Sequence, residues 1–383
     1  MRSPFQILLT SAVGLLLSFS ARSIIIADKT ATDTTGLNTA THNSYTADSA
    51  SNNMLFHLSE LDAMVRSTGR ATLHLGKTAQ GKDINAYYFK GVSSLNALVM
   101  AGIHGSELSS IEVAEQLIDS LSVGPLPFYN VIIIPNLFPD NAATALDRPA
   151  EMGSHLNIGR YSWTGATDPN RQMPSPGRPF DPSAPLDHIG REIENENKFL
   201  LTLIQQFRPV RIASLHAIRN TAYGGIYADP RTDEKSIALG YESDSALAVT
   251  MASAARRYGS NVEGNRLGSK PNALYYKDPK PAPAGKWQKR NMSQPGARIT
   301  PGSGVSMGTW GTTAVRVSDT VLCRPAMRVI TMEFPGAKRP VDYTKPQDQL
   351  KCQQQVTGYV AAIRDVFLAG FHEESDDPAF SQQ

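Results

Sequence analysis

A strand, a turn and a helix follow one another between residues 95 and 121, and this succession limits the fold more than any other feature. The apolar run Leu95–Met100 has the composition of a strand. Apolar residues then recur at helical spacing from Ile111 to Leu121. Asn130–Pro135 is a continuous β-branched run, typical of a strand buried on both faces. Because strands and helices alternate, we predict an α/β fold: a single domain with a mixed, mostly parallel twisted sheet flanked by helices. Long loops should lie at the C-terminal strand ends.

The ends of the chain differ in composition from its middle. Residues 1–23 have a basic start, the apolar run Ile7–Phe19 and small residues after it, which predicts a signal peptide and an exported protein, periplasmic or secreted. The apolar run is short for a membrane span, so we expect no stable one. Residues 24–53 are rich in Thr, Ser and Asn and predict a disordered leader. The folded domain is expected at 54–372, before an acidic tail at 373–383.

Charge and cysteine content exclude some classes of function. The 37 basic and 35 acidic residues are interspersed and give a net charge of +2, so no nucleic-acid partner is expected. Cys323 and Cys352 are the two cysteines of the chain. In an exported protein they are compatible with one disulfide or with two buried thiols. Two cysteines without a CxxC motif argue against a thiolate zinc site.

Four polar residues share one placement at the ends of apolar strands. His104 and Glu107 follow the strand that begins near Leu95, His216 ends the strand Val210–Leu215, and Glu333 ends a strand that starts at Arg328. In a parallel sheet these ends lie on one edge, where ligands usually bind. His104, Glu107 and His216 would form a two-histidine, one-carboxylate site for one zinc ion with a fourth position for water. Glu333 would take the proton as that water attacks a carbonyl.

The loop-rich stretch 136–190 adds groups that suit an anionic substrate. Asn170 and Arg171 stand side by side, and a guanidinium with a neighbouring amide can grip a carboxylate. Arg148 and Arg160 lie upstream in the same stretch, and either could stabilise an oxyanion.

These motifs together resemble the zinc metallocarboxypeptidases of the carboxypeptidase A type. His104-Gly-Ser-Glu107 resembles the HxxE zinc pair of the family. Ser214-Leu-His216 resembles the strand end that carries the third zinc ligand in the family. Asp168-Pro-Asn-Arg171 resembles the D-x-N-R motif that binds the substrate carboxylate, and Thr331-Met-Glu333 the strand with the general base. The motifs occur in family order and cover roughly residues 70–370. The resemblance implies a zinc peptidase and one zinc ion.

Within that family the chain looks closest to the bacterial murein peptide amidase branch. The stretch Thr300–Trp310 resembles the segment that precedes the catalytic strand in that branch, as does the loop Asn157–Arg160. The resemblance favours Arg160 over Arg148 for the oxyanion, with Arg148 kept among the substrate-binding candidates. The turn Phe138–Asn141 only approximates the Asn-Pro-Asp-Gly turn of the family.

The leading hypothesis is an exported zinc metallocarboxypeptidase that hydrolyses the C-terminal amide bond of a peptide. Its expected partner is a peptide with a free C-terminal carboxylate, a muropeptide being one candidate. One alternative is a zinc amide deacylase similar to aspartoacylases and succinylglutamate desuccinylases, which share the metal arrangement. Another is a catalytically silent peptide-binding module on the same scaffold.

Overall fold

A computed structural model describes ten ranges of the chain: residues 44–46, 56–152, 156–162, 167–233, 238–240, 242–265, 267, 303–316, 322–336 and 346–370. They contain twelve strands and seven α-helices. The strands are β1 Ser44–Thr46, β2 Ala71–Lys77, β3 Asp83–Phe89, β4 Asn96–Met100, β5 Asn130–Ile134, β6 Arg211–Ile218, β7 Gly225–Ala228, β8 Arg231–Thr232, β9 Ala238–Gly240, β10 Val315–Arg316, β11 Leu322–Arg324 and β12 Arg328–Pro335. The helices are α1 Leu58–Thr68, α2 Leu108–Val123, α3 Pro139–Asp147, α4 Asn195–Phe207, α5 Glu242–Arg257, α6 Met307–Gly311 and α7 Pro346–Ala362.

Eight strands form one sheet in the order β1-β2-β3-β5-β4-β6-β12-β7. The four central strands β5, β4, β6 and β12 are mutually parallel. β3 pairs antiparallel with β2 and β5, and β7 pairs antiparallel with β12. The predicted fold class, an α/β domain with a mixed, mostly parallel sheet, is confirmed. The described residues belong to one compact unit, 43–383.

Helices cover both faces of this sheet, as the buried runs of the central strands require. On one face, α2, α5 and α7 pack against residues such as Val99, Leu215 and Met332. On the other face, α1, α4 and α6 pack against residues such as Leu98 and Ile212. Alternate residues of each central strand therefore pack into the hydrophobic clusters on opposite faces of the sheet. The register of a strand consequently determines the face on which a side chain at its end lies.

Several elements extend beyond or start later than the sequence pattern predicts. β6 runs through His216 to Ile218, and β12 runs through Glu333 to Pro335, because the two strands pair with each other along their whole length. The sequence predicts a helix at about Gly190–Gln206, but α4 begins at Asn195. The preceding residues form a turn in which Asp187 Oδ1 accepts the backbone N–H groups of Ile189 and Arg191 at 3.0 and 2.9 Å.

No helix in the described part of the chain combines the length and apolarity needed to cross a lipid bilayer. Ser44–Thr46, which fall within the predicted leader, pair parallel with β2. The predicted signal peptide, the rest of the leader and the acidic tail lie outside the described residues. Cys323 is exposed and Cys352 is buried, and no disulfide joins them.

Candidate metal centre and active site

The turn between β4 and α2 brings His104 and Glu107 to the C-terminal edge of the sheet. Gly102 has φ +69°, and a Cβ atom there would lie 2.9 Å from Asn136 Cα, so this turn requires glycine. The backbone N–H of Glu107 donates to the carbonyl of His104 at 3.0 Å. The sequence pattern predicts Glu107 in the first turn of the following helix, whereas the structure has it as the N-cap of α2, one position before the first helical residue.

Three buried side chains meet at this edge. His104 Nδ1 lies 3.0 Å from Glu107 Oε1, and His216 Nδ1 lies 3.0 Å from Glu107 Oε2. His104, Glu107 and His216 are each no more than 5% exposed. The structure therefore brings together the three residues that the sequence predicted as metal ligands, although they are up to 112 positions apart (216 − 104).

The donor set fits a zinc ion. One nitrogen or oxygen from each of the three residues lies within 4.8 Å of the others. Ligands placed 2.0–2.1 Å from a tetrahedral zinc are about 3.3 Å from one another, so small side-chain movements would bring the three atoms to one ion. Two histidines with one carboxylate is also a donor set of catalytic zinc sites, which keep one position open. His104, Glu107 and His216 would hold the ion.

Two further residues orient the histidines, and sequence analysis assigned neither of them this role. His104 Nε2 lies 2.9 Å from Asp168 Oδ1, and His216 Nε2 lies 3.1 Å from the hydroxyl of Ser214. Because an ionised aspartate can only accept, Nε2 of His104 is the donor and Nδ1 is the nitrogen available to a metal. Asp168 belongs to the Asp-Pro-Asn-Arg motif and Ser214 to the stretch Ser214-Leu-His216, so both positions stood in motifs, but neither motif indicated a contact with a histidine.

The ionisation of the cluster follows from its burial and its close pairing. Burial alone would lower the pKa of His104, but the carboxylates of Glu107 and Asp168 outweigh it and raise that pKa. Burial opposes ionisation of Glu107, yet His104 and His216 hold its pKa well below the usual range. Burial likewise opposes ionisation of Asp168, but His104 and Arg160 keep the pKa of Asp168 low. Glu107 and Asp168 are therefore anionic at neutral pH.

Arg160 reaches this cluster from the loop after α3. Its Nη1 donates to Glu107 Oε1 at 3.0 Å, and its Nη2 approaches Asp168 Oδ2 at 3.4 Å. Burial would lower the pKa of Arg160, but Glu107 and Asp168, with a smaller contribution from Glu333, raise it. The loop is held close because the backbone N–H of Ser106 donates to the carbonyl of Gly159 at 3.0 Å.

Glu333 stands beside His216 on the neighbouring strand. The two residues are Cα partners in the parallel pairing of β12 with β6. Paired residues on adjacent strands are about 4.8 Å apart and share one face of the sheet. Glu333 is 8% exposed, and its backbone carbonyl accepts a hydrogen bond from the hydroxyl of Tyr359 at 3.0 Å.

Asn170 and Arg171 occupy a short 3₁₀ turn beside the cluster. Asp168 caps this turn by accepting the backbone N–H of Asn170 at 2.9 Å. The side-chain oxygen of Asn170 accepts the backbone N–H of Met307 at 3.0 Å, which leaves the amide nitrogen as the donor for a ligand. Arg171 Nη1 donates to the carbonyl of Asn170 at 2.6 Å.

Arg148 lies apart from these residues. It is the C-cap of α3, its side chain is 49% exposed, and it pairs with Glu151. Among the sequence candidates, His104, Glu107, His216, Arg160 and Glu333 meet at one place, while Arg148 occupies the surface.

Arg191 also supports the site. It pairs with Asp187 at 2.6 Å and donates to the backbone carbonyl of Arg171 at 2.9 Å. The same guanidinium reaches the carbonyl of Ser303 at 3.3 Å. Arg191 thus ties the turn with Asn170 and Arg171 to the segment before α6. Contacts between such distant loops leave no pattern in a single sequence.

No protein-family model and no curated protein matches this chain. Several solved structures are similar to it at low identity. Bovine thrombin-activatable fibrinolysis inhibitor is 12% identical, with 81% of this chain and 95% of that chain covered and a TM-score of 0.46. Carboxypeptidase A from Helicoverpa armigera is 13% identical, with 82% and 75% covered and a TM-score of 0.41.

A metallo-carboxypeptidase from Pseudomonas aeruginosa is 15% identical, with 81% of this chain and 68% of that chain covered and a TM-score of 0.42. All these TM-scores are below one half.

Proposed function

We propose that this chain is an exported zinc-dependent metallocarboxypeptidase that removes the C-terminal residue of a peptide. The observation that carries the proposal is the meeting of His104, Glu107 and His216 in a buried cluster, with Glu333 paired beside His216. A buried two-histidine, one-carboxylate set next to a second carboxylate supports hydrolysis better than it supports a structural metal site, because structural zinc sites usually have four protein ligands.

His104, Glu107 and His216 would hold a zinc ion, which when bound would act as a Lewis acid towards a carbonyl oxygen and a water molecule. Glu333 accepts the proton of the attacking water on a carboxylate oxygen and returns it to the nitrogen of the leaving residue. Arg160 donates to the oxygen of the scissile carbonyl as negative charge develops there. Its fixed contacts with Glu107 and Asp168 restrict its position before the substrate arrives.

Asn170 and Arg171 bind the C-terminal carboxylate of the substrate. The amide nitrogen of Asn170 faces the ligand because its oxygen is held by Met307. The guanidinium of Arg171 adds a charge-assisted contact, so a peptide with a blocked C-terminus should be a poor substrate. Together these residues place the last peptide bond beside Glu333 and the metal ligands.

We propose a cell-wall (murein) peptide as the physiological substrate. This step rests on the export pattern of residues 1–23 and on the resemblance of Thr300–Trp310 to the murein peptide amidase branch. Export would place the enzyme next to that polymer, in the periplasm or outside the cell.

The test is digestion of purified muropeptides and a panel of plain L-peptides, each with and without a zinc chelator, read by mass spectrometry. Zinc-dependent loss of a C-terminal residue from either class is the expected result. Cleavage of muropeptides alone supports the cell-wall role, and cleavage of L-peptides alone contradicts it. Zinc binding without any cleavage would refute the peptidase assignment.

The variant Arg171→Ala, assayed on peptides with a free and with an amidated C-terminus, tests whether Arg171 binds the substrate carboxylate or only supports the fold. The variant should lose about 10- to 100-fold in kcat/KM on peptides with a free C-terminus, because a charge-assisted contact is removed. The residual rate on a C-terminal amide should stay unchanged. Equal losses on both peptides would contradict the assigned role.

A further inference from the structure

Arg324 is a buried cation at the end of β11, and its donors hold the last turn of helix α6. Its Nη1 donates to the backbone carbonyl of Gly311 at 3.0 Å, and its Nη2 donates to that of Trp310 at 3.0 Å. The guanidinium carbon lies over the ring of Trp310, 4.5 Å from its centre. Because the last carbonyls of a helix lack partners within it, a cation here satisfies groups that α6 alone cannot.

Helix α6 also packs directly against β12, the strand that carries Glu333. A Cβ atom on Gly311 would lie 2.8 Å from Val329 Cγ2, so glycine allows this close approach. The carbonyl of Gly311 also accepts the backbone N–H of Met327 at 2.9 Å, one residue before β12 begins. One end of α6 is therefore fixed to the strand with the proposed base.

The other end of α6 holds the turn proposed to bind the substrate carboxylate. The backbone N–H of Met307 donates to Oδ1 of Asn170 at 3.0 Å. The indole N–H of Trp310 donates to the carbonyl of Arg178 at 3.0 Å, in the segment that follows this turn. The helix has five residues and is about 7.5 Å long. Such a short helix moves as one piece, so a displacement at its C-terminal end also moves the contact with Asn170.

We infer that α6, held by Arg324, fixes the distance between Asn170 and the strand that carries Glu333, which makes Arg324 a positioning residue. The inference rests on the proposed function, in which Asn170 binds the C-terminal carboxylate and Glu333 is the base. The separation of these two groups decides which bond of the substrate lies beside the metal ligands. A fixed separation selects a C-terminal residue whose nitrogen and carboxylate are attached to the same carbon, because a misplacement of about 1 Å can cost about 100-fold in rate.

The cost of burying this cation supports a positioning role. Burial lowers the pKa of Arg324 to about 10, and the group is still charged at neutral pH. A hydrophobic residue of similar volume would fill the space without that desolvation cost. It could not hold two carbonyls of α6 at once, which the planar fork of a guanidinium does. Arg324 also reaches the carbonyls of Thr313 and Pro325, at 3.2 Å each.

The experiment compares two peptides that differ only in their last residue, alanine or β-alanine, with the zinc-loaded enzyme. β-Alanine has one more methylene group between the amide nitrogen and the carboxylate, which moves the carboxylate by about 1 Å. Wild type should favour the alanine peptide by about 100-fold in kcat/KM. Arg324→Lys keeps a cation without the planar fork, so the ratio should fall to about 10-fold through a lower rate on the alanine peptide.

Gly311→Ala tests the same helix without changing the guanidinium. The added methyl group would meet Val329 and displace α6 from β12, so the ratio should again fall. Arg211→Lys is the matched control, because Arg211 is also buried over an aromatic ring and donates to a backbone carbonyl, but at the N-terminal edge of the sheet. It should keep the wild-type ratio even where its melting temperature falls.

Three results would overturn the inference while leaving the peptidase function standing. The first is a wild-type enzyme that cuts both peptides equally, and the second is an equal loss on both peptides in Arg324→Lys. The third is a wild-type ratio in both Arg324→Lys and Gly311→Ala. If Arg324→Lys does not fold, the ratio measured for Gly311→Ala decides.

Calorimetric binding of the same two peptides to the zinc-loaded Glu333→Gln variant keeps the two proposals distinguishable. Suppose that wild type cleaves neither peptide but Glu333→Gln binds the alanine peptide more tightly. If adding Arg324→Lys then abolishes the difference, the proposed function fails and the inference stands; if the difference persists, both fail. If neither peptide is cleaved and both bind equally or not at all, the inference is refuted together with the function.

Discussion

The two edges of the central sheet both contain buried charges, but they use them differently. At the C-terminal edge, ionisable groups face one another: His104 and His216 both contact Glu107. At the N-terminal edge, Arg211 is fully buried, lies over the ring of Tyr129 at 4.3 Å and donates to the backbone carbonyl of Phe367 at 2.6 Å. The first arrangement gathers donor atoms around one point, whereas the second packs a cation against rings and a carbonyl.

The different surroundings of these buried charges distinguish the candidate site around Glu107 from the structural role of Arg211. Burial lowers the pKa of Arg211 to about 10, which records a desolvation cost that its neighbours offset only in part. Within the cluster at the other edge, close pairing outweighs burial and keeps Glu107 and Asp168 ionised. A cluster of mutually charged residues at the ligand-binding edge of an α/β sheet indicates chemistry, while an arginine stacked on aromatic rings indicates packing.

The largest effect should come from removing the proposed base, Glu333, at the C-terminal edge. Glu333→Gln keeps the shape but cannot accept a proton, so kcat should fall by about a thousandfold. Zinc content, measured by atomic absorption, and the melting temperature should stay close to wild type. A variant with near-normal kcat would show that another residue is the base.

A substitution at the N-terminal edge should reduce the stability of the fold and leave zinc binding unchanged. Arg211→Ala removes the contact with Phe367 and leaves a cavity beside Tyr129, so the free energy of unfolding should fall by about 3 kcal/mol. Zinc affinity below the melting transition should not change. Loss of zinc from the folded variant would mean that the two edges are coupled.

Removing a support of the proposed metal ligands should have a smaller effect, measured as a change in zinc affinity. Asp168→Asn keeps a hydrogen-bonding group beside His104 but removes its charge, so zinc affinity should weaken by about 10- to 100-fold. Competition with a coloured chelator measures this change. Asp181→Asn, an exposed loop residue with its own serine contacts, is the control and should leave the affinity unaltered.

The smallest effect concerns a carboxylate outside the metal cluster. Burial raises the pKa of Glu196 to about 7, with Glu194 and Asp140 adding repulsion. An unfolded glutamate ionises near pH 4.5. Between pH 4.5 and about 7, the folded state therefore holds a proton on Glu196 that the unfolded state has lost. Stability therefore falls as pH rises from about 4.5 to 7, and the loss persists above it.

Glu196→Gln should remove this loss. The variant should be more stable than wild type by roughly 1–2 kcal/mol at pH 8, and equal to it near pH 4, in urea titrations at both pH values. A constant difference across the pH range would show that packing, and not ionisation, is the cause.

Sequence analysis predicted the parts of the molecule that follow from local pattern. The β-branched run at residues 130–134 and the helical spacing after Glu107 predict their elements because burial on two faces or on one face determines residue type. The gathering of His104, Glu107 and His216 followed from one rule, that parallel strands end on the same edge. The roles of those residues remain predictions until metal binding is measured.

The rest depends on contacts between distant segments. Ser214 orients His216 only because both lie on one face of β6, and Met307 holds Asn170 across 137 positions (307 − 170). A single sequence reports which residues are buried far better than it reports which loops meet.

The pairing of β12 with β6 also sets when activity can arise during synthesis. Glu333 comes 117 positions after His216 (333 − 216) and faces the metal ligands only when the register of the two strands is correct. A slip of one residue would turn its side chain to the opposite core. A chain in which β12 pairs out of register would therefore lack the carboxylate beside His216. The candidate site is complete only after β12 has been made and has paired with β6.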